Sequence, residues 1–321
     1  MLAQQSSRIV SEFLSELCVT IPHMDAERID IDEITAAVKV RWTEQRLKIW
    51  KRAPRHLYHY TSGVGLHGIL TEHALRGGNY AFMNDRTEIE YGKDLLRDVL
   101  VQYGNNTLPA WRDWLNDCSR SSLLENLELY FISFCQKPDL LSQWRGYGGS
   151  DTRYCLRFDT NKFKIGPSFA HRPHAIIYKR DRQLQILRDI VDIHLGAYAQ
   201  AQQNWDASAD QKAKRCLLVC ASTALIYFKD PTFAEEREWR CIAYLTENPE
   251  HEAIFVNSRG VMKPFRVLLK GSKRSELLPL SEVIAGSHSV ERHAKRSAEL
   301  MLKAFGYPAV PVNVSRIPIV T

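Results

Sequence analysis

The stretch Glu235-Glu236-Arg237-Glu238-Trp239-Arg240, followed at once by the apolar run Cys241-Ile242-Ala243-Tyr244-Leu245, decides how the chain is read. Three carboxylates and two arginines surround one tryptophan, and the run after them reads as a buried strand. If that strand begins near Glu236, residues two apart share a face. Glu236, Glu238 and Arg240 then point one way, and Trp239 and Cys241 the other. Two carboxylates beside a guanidinium on the rim of a sheet make a charge-tuned site, with one acid's pKa raised by its neighbour and lowered by the arginine. As a helix, the same segment gives an i,i+4 ion pair, Glu236 with Arg240, on a solvated face. Spacing alone leans to the helical pair, and the rest of the chain shifts the weight.

The length of 321 residues fits one large domain or two modest ones. An apolar fraction of 45% supplies a sizeable core. No apolar run is long enough to span a membrane. The opening Met1-Leu2-Ala3-Gln4-Gln5 lacks the basic and apolar regions of a secretory signal. Seven cysteines are scattered, an odd number that argues against a disulfide framework. Cys216 and Cys220 are the only close pair, and their spacing fits one face of a helix rather than a zinc knuckle. Cys118, Cys135, Cys155 and Cys241 lie in apolar or aromatic surroundings and read as buried thiols. A reducing, cytoplasmic location is expected. The net charge of +6 permits an anionic ligand without requiring one, because no dense Lys/Arg block is present.

Periodicity divides the chain into a helical extension over 1–54 and a main domain over 55–321. In the extension, Ile34, Val38 and Trp42 are among the apolar positions of a helix from about Asp32 to Trp50. The main domain opens with a strand at Leu57–Thr61 and a helix from Gly65 to His73 that Gly77-Gly78 ends. A short strand is expected at Tyr80–Met83, and a helix running to Tyr103 follows. Further strands are expected at Tyr130–Cys135, Tyr154–Phe158, Ala175–Tyr178, Ala253–Val256, Phe265–Leu269, Leu280–Ala285 and Val310–Val314. Helices are expected at about 181–204, 209–228 and 290–305. The mixed order gives an α+β class, with a mixed central sheet and flanking helices.

Several residues in this frame carry polar chemistry. His59 stands in an aromatic strand between Tyr58 and Tyr60, with Leu57 and Thr61 on its own face; it reads either as a satisfied core histidine or as a ligand-binding group or base. Asn84, Asp85 and Glu88 have a complete explanation as a helix cap and capping box. Ser133, facing the same way as Phe131, bonds either a ligand or its own backbone. The segment Trp144-Arg145-Gly146-Tyr147-Gly148-Gly149 joins two aromatics, a cation and a flexible backbone. Such a set either sandwiches a base near phosphates or plugs a loop. No P-loop, dinucleotide fingerprint, nucleophile elbow or metal-ligand spacing is present, and no metal is expected.

Taken together these segments resemble DUF2971, a bacterial family of unknown function. The resemblance rests on Leu57 to Ser62, Ile69-Leu70, Asn84-Asp85 with Glu88, Ser133-Phe134, Trp144 with Tyr147, Phe158-Asp159, the Glu236, Glu238, Trp239, Arg240 motif, and Ser315-Arg316-Ile317-Pro318. A weaker resemblance links the strand-borne histidine, the central serine strand and the late E-x-E to ADP-ribosyltransferase folds. That second resemblance implies NAD as a substrate. It places His59 and Tyr60 on NAD with Thr61 beside them, and Ser133 and Tyr147 lining the pocket. Glu238 would be the catalytic carboxylate and Glu236 the substrate-facing acid. Asn84, Asp85, Trp144 and Arg240 complete the binding set expected here. The chain departs from that pattern in having no clear S-T-S triplet and no arginine in the first strand.

Three functions follow from this reading. The first is an NAD-consuming transferase or glycohydrolase acting as an intracellular toxin or anti-phage effector, with a protein or nucleic acid among the possible acceptors and no membrane partner. The second is a non-catalytic nucleotide sensor. The third is a metal-dependent nuclease using Asp85, Glu88 and Glu238, against which the absent metal spacing counts.

Overall fold

The computed structural model describes residues 31–49, 53–82, 87–107, 109–121, 129–146, 153–163, 173–199, 206–244, 253–258, 260–271, 277–286 and 291–317. In chain order the elements are α1 (Ile31–Ile49), β1 (His56–Ser62), α2 (Gly63–Glu72), β2 (Ala74–Asn79), α3 (Thr87–Asn105), α4 (Pro109–Ser119) and β3 (Leu129–Cys135). Then come α5 (Leu141–Gly146), β4 (Arg153–Asp159), β5 (His174–Ala175), α6 (Arg180–Tyr198) and α7 (Ala207–Leu225). The chain closes with β6 (Glu238–Tyr244), β7 (Ile254–Ser258), β8 (Val261–Lys270), β9 (Leu280–Ala285), α8 (Glu291–Ala304) and β10 (Val312–Val314). The class is α+β, as the sequence predicts.

These elements form two compact units. One is helical and falls within Met1–Trp50, Thr87–Leu127 and Ile177–Pro231; the other holds the sheet and falls within Lys51–Arg86, Glu128–Ile176 and Thr232–Thr321. The helical unit is larger than an extension over 1–54, because α1 shares a core with helices from much later in the chain. Ile34, Val38 and Trp42 of α1 are buried in one cluster with Leu96, Trp114, Ile190 and Leu217. The Trp42 indole N–H donates to Thr223 Oγ1 at 2.8 Å, which satisfies the one polar group that burial would otherwise orphan. Gln183 in α6 donates to the carbonyls of Ile177 and Lys229, at 2.5 and 2.9 Å, and so ties the chain on either side of α6 and α7 together.

In the sheet unit the strand order is β10-β9-β4-β1-β3-β2-β8-β7, with β6 and then β5 added beyond β3. β9 and β10 are parallel and the other pairs antiparallel. β3 is the hub. Along one edge it pairs β6 over its whole length, from Leu129 with Tyr244 to Cys135 with Glu238. Along the other it pairs β2 only at Phe131 and Tyr130, and β1 only at Cys135. The β1 and β2 strands therefore diverge along that edge.

Alternation splits the unit into two faces. One buries Leu57, Phe134, Leu156, Phe158, Trp239 and Cys241 under α2 and α8, which contribute Leu66, Leu70, Ala298 and Leu302. The other buries Tyr60, Cys135, Cys155 and Ile284 against Trp144 of α5. The glycine pair read as a helix stop lies inside β2. A Cβ on Gly77 would fall 2.4 Å from Leu268 Cδ1 and 3.1 Å from the Phe131 nitrogen, so close strand packing explains the glycine. The strand expected at Tyr80–Met83 is a 3-10 turn over Tyr80–Phe82.

Candidate functional site

The acidic motif divides at Arg237. Residues Pro231–Glu236 form a 3-10 helix, and β6 begins only at Glu238. Arg237 turns the chain between them with φ of 45°, in the left-handed region. Its carbonyl accepts from Gln136 N–H at 3.1 Å, which pins the turn to the end of β3. The strand reading thus holds for Glu238 and Arg240 but does not reach Glu236, which is only partly buried in the 3-10 helix. The helical Glu236–Arg240 pair is replaced by an ion pair two residues apart on one strand face.

That pair is the centre of the site. Glu238 is 5% exposed and Arg240 2%. The guanidinium grips the carboxylate through Nε to Oε1 at 2.6 Å and Nη2 to Oε2 at 2.9 Å, a two-pronged, charge-assisted contact. Ser133 is the register partner of Arg240, and Cys135 that of Glu238, so all four side chains share a face. The Ser133 hydroxyl donates to Glu238 Oε1 at 2.6 Å. The Arg240 guanidinium also lies 4.6 Å from the centre of the Phe131 ring, a cation–π contact on the same face. Ser133 alone among the three is partly exposed, so it forms the accessible side of an otherwise buried cluster. Chemically the cluster is a carboxylate fixed in position by a hydroxyl and a guanidinium.

His59 is not brought to this cluster. Tyr58 pairs with Cys135, which puts Tyr58 on the Glu238 face and His59 on the opposite one. The ring packs edge-on against Phe134 at 5.8 Å. Its Nδ1 lies 2.9 Å from the Ser133 carbonyl, at the edge where β1 and β2 part. A carbonyl only accepts, so Nδ1 carries the proton and Nε2 the lone pair. Burial holds the His59 pKa below its ordinary 6.5, against the pull of the Ser133 carbonyl. The imidazole is therefore neutral at pH 7, and its hydrogen bond caps a β3 carbonyl that no strand reaches.

Tyr60 and Trp144 are core residues. Trp144 is fully buried, packs edge-on to Tyr60 at 5.0 Å, and donates its indole N–H to Asp139 Oδ1 at 2.7 Å. It is not an exposed stacking surface. Tyr60 accepts the Leu140 N–H at 2.9 Å, and burial raises its pKa, so it stays protonated. Asp139, which the sequence reading passed over, is the hub here: the Ser315 hydroxyl and the Arg316 N–H also donate to it. Its place after Lys137-Pro138 was the available signal of the turn, in which its φ is 57°. Thr61 sits against the first turn of α2, where Ser62 caps the helix by accepting from Gly65 N–H at 3.1 Å. Asn84, Asp85 and Tyr147 lie outside the described residues. Glu88 belongs to the helical unit and pairs with Lys229 at 2.7 Å, both side chains being largely buried.

Residues 143–241 match the family model described as DUF2971, protein of unknown function. Over that stretch the chain is similar to the DUF2971 family. The DUF2971 match begins beside Trp144, includes β4 and ends at Cys241, so it contains the Glu238–Arg240 pair. The quoted motifs at Leu57–Ser62, at Ser133-Phe134 and after Ser315 lie outside the matched stretch. No curated protein matches the chain, and no solved structure does.

Proposed function

We propose that the sheet unit is an ADP-ribosyltransferase-like module that consumes NAD, with Glu238 as the catalytic carboxylate and Ser133 and Arg240 as its positioning residues. The supporting observation is the 2.6 Å hydrogen bond from Ser133 Oγ to Glu238 Oε1. It joins the central-strand serine to the late glutamate, two of the three features on which the resemblance to those enzymes depends; the third, His59, lies on the opposite face. Breaking the bond between nicotinamide and ribose develops positive charge on the sugar. A carboxylate already fixed in place stabilises that charge without reorganising during the reaction. The partly exposed Ser133 edge gives the side from which a ribose would approach. In this reading His59 supports the β1–β3 junction and leaves the chemistry to the other face. Glu236 lies outside the strand alternation and is a residue for substrate contact only.

A cytoplasmic toxin or defence effector is the setting proposed for such an activity, in keeping with six described cysteines that are buried and not joined in disulfides. No helix among the described residues is long and apolar enough to cross a membrane.

One observation favours a second reading, a nucleotide-binding module without turnover. Both Glu238 oxygens are already engaged by protein groups. A carboxylate held this way serves the sheet as well as it would a substrate. Incubating the protein with NAD and following nicotinamide separates the two. Release by the wild type and not by Glu238→Gln supports the transferase. A thermal shift with NAD and no release supports the binding module.

A further inference from the structure

We propose that His194, Cys216 and Cys220 form a binding site in the helical unit for a thiophilic divalent cation of the zinc class. One ligating atom from each of the three lies within 4.8 Å of the other two, and all three residues are buried. His194 is on α6. Its Nδ1 lies 2.7 Å from the Ile190 carbonyl, which only accepts, so Nδ1 carries the proton. Nε2 is left with its lone pair, buried and without a hydrogen-bond partner. A ring nitrogen fixed by a backbone carbonyl, with the other nitrogen presented, is the arrangement of a metal-ligating histidine. Cys216 and Cys220 are one turn apart on α7, so their thiols point to the same side.

The donor set selects the ion. Sulfur and imidazole suit zinc and its softer neighbours, whereas magnesium and calcium take oxygen. Bond lengths of about 2.0–2.3 Å around tetrahedral zinc require ligand atoms roughly 3.3–3.8 Å apart. Binding would draw ligand atoms that lie within 4.8 Å of one another into that range. Two thiolates and a divalent cation are neutral together, the condition that a fully buried site imposes. Oxygen donors stand beside the cluster: the Thr35 carbonyl is 4.0 Å from Cys216 Sγ, and the Tyr198 hydroxyl is 3.3 Å from Thr35 Oγ1. A bound ion would join α6 to α7 next to α1.

The proposal is independent of the NAD reading and is tested on the full chain. Elemental analysis of the purified protein should find zinc at about one equivalent per chain. After chelator treatment, titration with Co2+ should raise thiolate-to-cobalt charge-transfer absorption that saturates at the same stoichiometry. Cys216→Ser and Cys220→Ser should each lose that absorption, while Cys118→Ser, outside the cluster, should keep it. Absence of charge-transfer absorption in the wild type at excess Co2+, together with substoichiometric zinc, overturns the site. Absorption that survives both cluster variants overturns it equally. The wild-type titration decides even if a serine variant fails to fold.

Discussion

Two buried polar clusters among the described residues differ in how fully they are satisfied. In the sheet unit, Glu238 faces the Arg240 guanidinium and the Ser133 hydroxyl, and both carboxylate oxygens are engaged. In the helical unit, His194 carries a buried Nε2 that nothing answers. The first cluster is stable without a ligand, so any ligand must act at its exposed Ser133 edge or exchange with its own contacts. The second leaves a desolvated lone pair uncompensated, a cost of about 1–3 kcal/mol that a bound cation would remove. Satisfaction of the polar groups, rather than their burial, separates a site that positions chemistry from one that calls for a ligand.

The largest effect is expected at the satisfied cluster. Arg240→Met removes the cation that compensates the buried Glu238 carboxylate and should cost about 3–5 kcal/mol in denaturant unfolding. Glu238→Gln with Arg240→Met should recover much of that loss, because both charges are then removed. If the single variant costs no more than the double, the pair is not the compensated unit described.

A smaller effect is expected on acidification. His59 has a folded pKa below its unfolded 6.5, so the unfolded chain binds the proton more readily. The stability it contributes is complete above pH 6.5 and falls as the pH drops below it, by up to about 1.4 kcal/mol per pH unit. His59→Gln should flatten that part of the profile. An unchanged slope in the variant would assign the acid loss to other groups.

The smallest effect is expected at the unsatisfied cluster. In metal-stripped protein, His194→Phe should change stability by no more than about 1 kcal/mol, since the orphaned nitrogen and its single bond leave together. With zinc present, the wild type alone should gain stability. A large loss from His194→Phe in stripped protein would mean that the ring is satisfied in some other way.

Much of the fold was legible because it follows from period and apolar runs. β3, β4 and β9 stand where the aromatic and β-branched stretches place them, and the strand face of Glu238 and Arg240 follows from alternation. What was not legible depends on strand order and register. His59 and Glu238 are expected together when each is read in its own strand, but the Tyr58–Cys135 pairing sets them on opposite faces. The turn at Arg237 removes Glu236 from the alternation, and no residue with an intrinsic preference for positive φ marks it. Trp144 reads as either a stacking aromatic or a loop plug until Asp139, five residues before it, supplies a partner for its indole. The sequence reading also grouped Cys216 with Cys220 but missed His194, whose place beside them depends on how α6 packs on α7.

The most direct test of the central claim is nicotinamide release from NAD by the purified full-length protein, measured beside Glu238→Gln and Ser133→Ala. The account predicts release by the wild type, none by Glu238→Gln, and a rate lowered about tenfold or more by Ser133→Ala with its fold intact. Equal release by wild type and Glu238→Gln would contradict it, as would no release by the wild type with or without cell lysate.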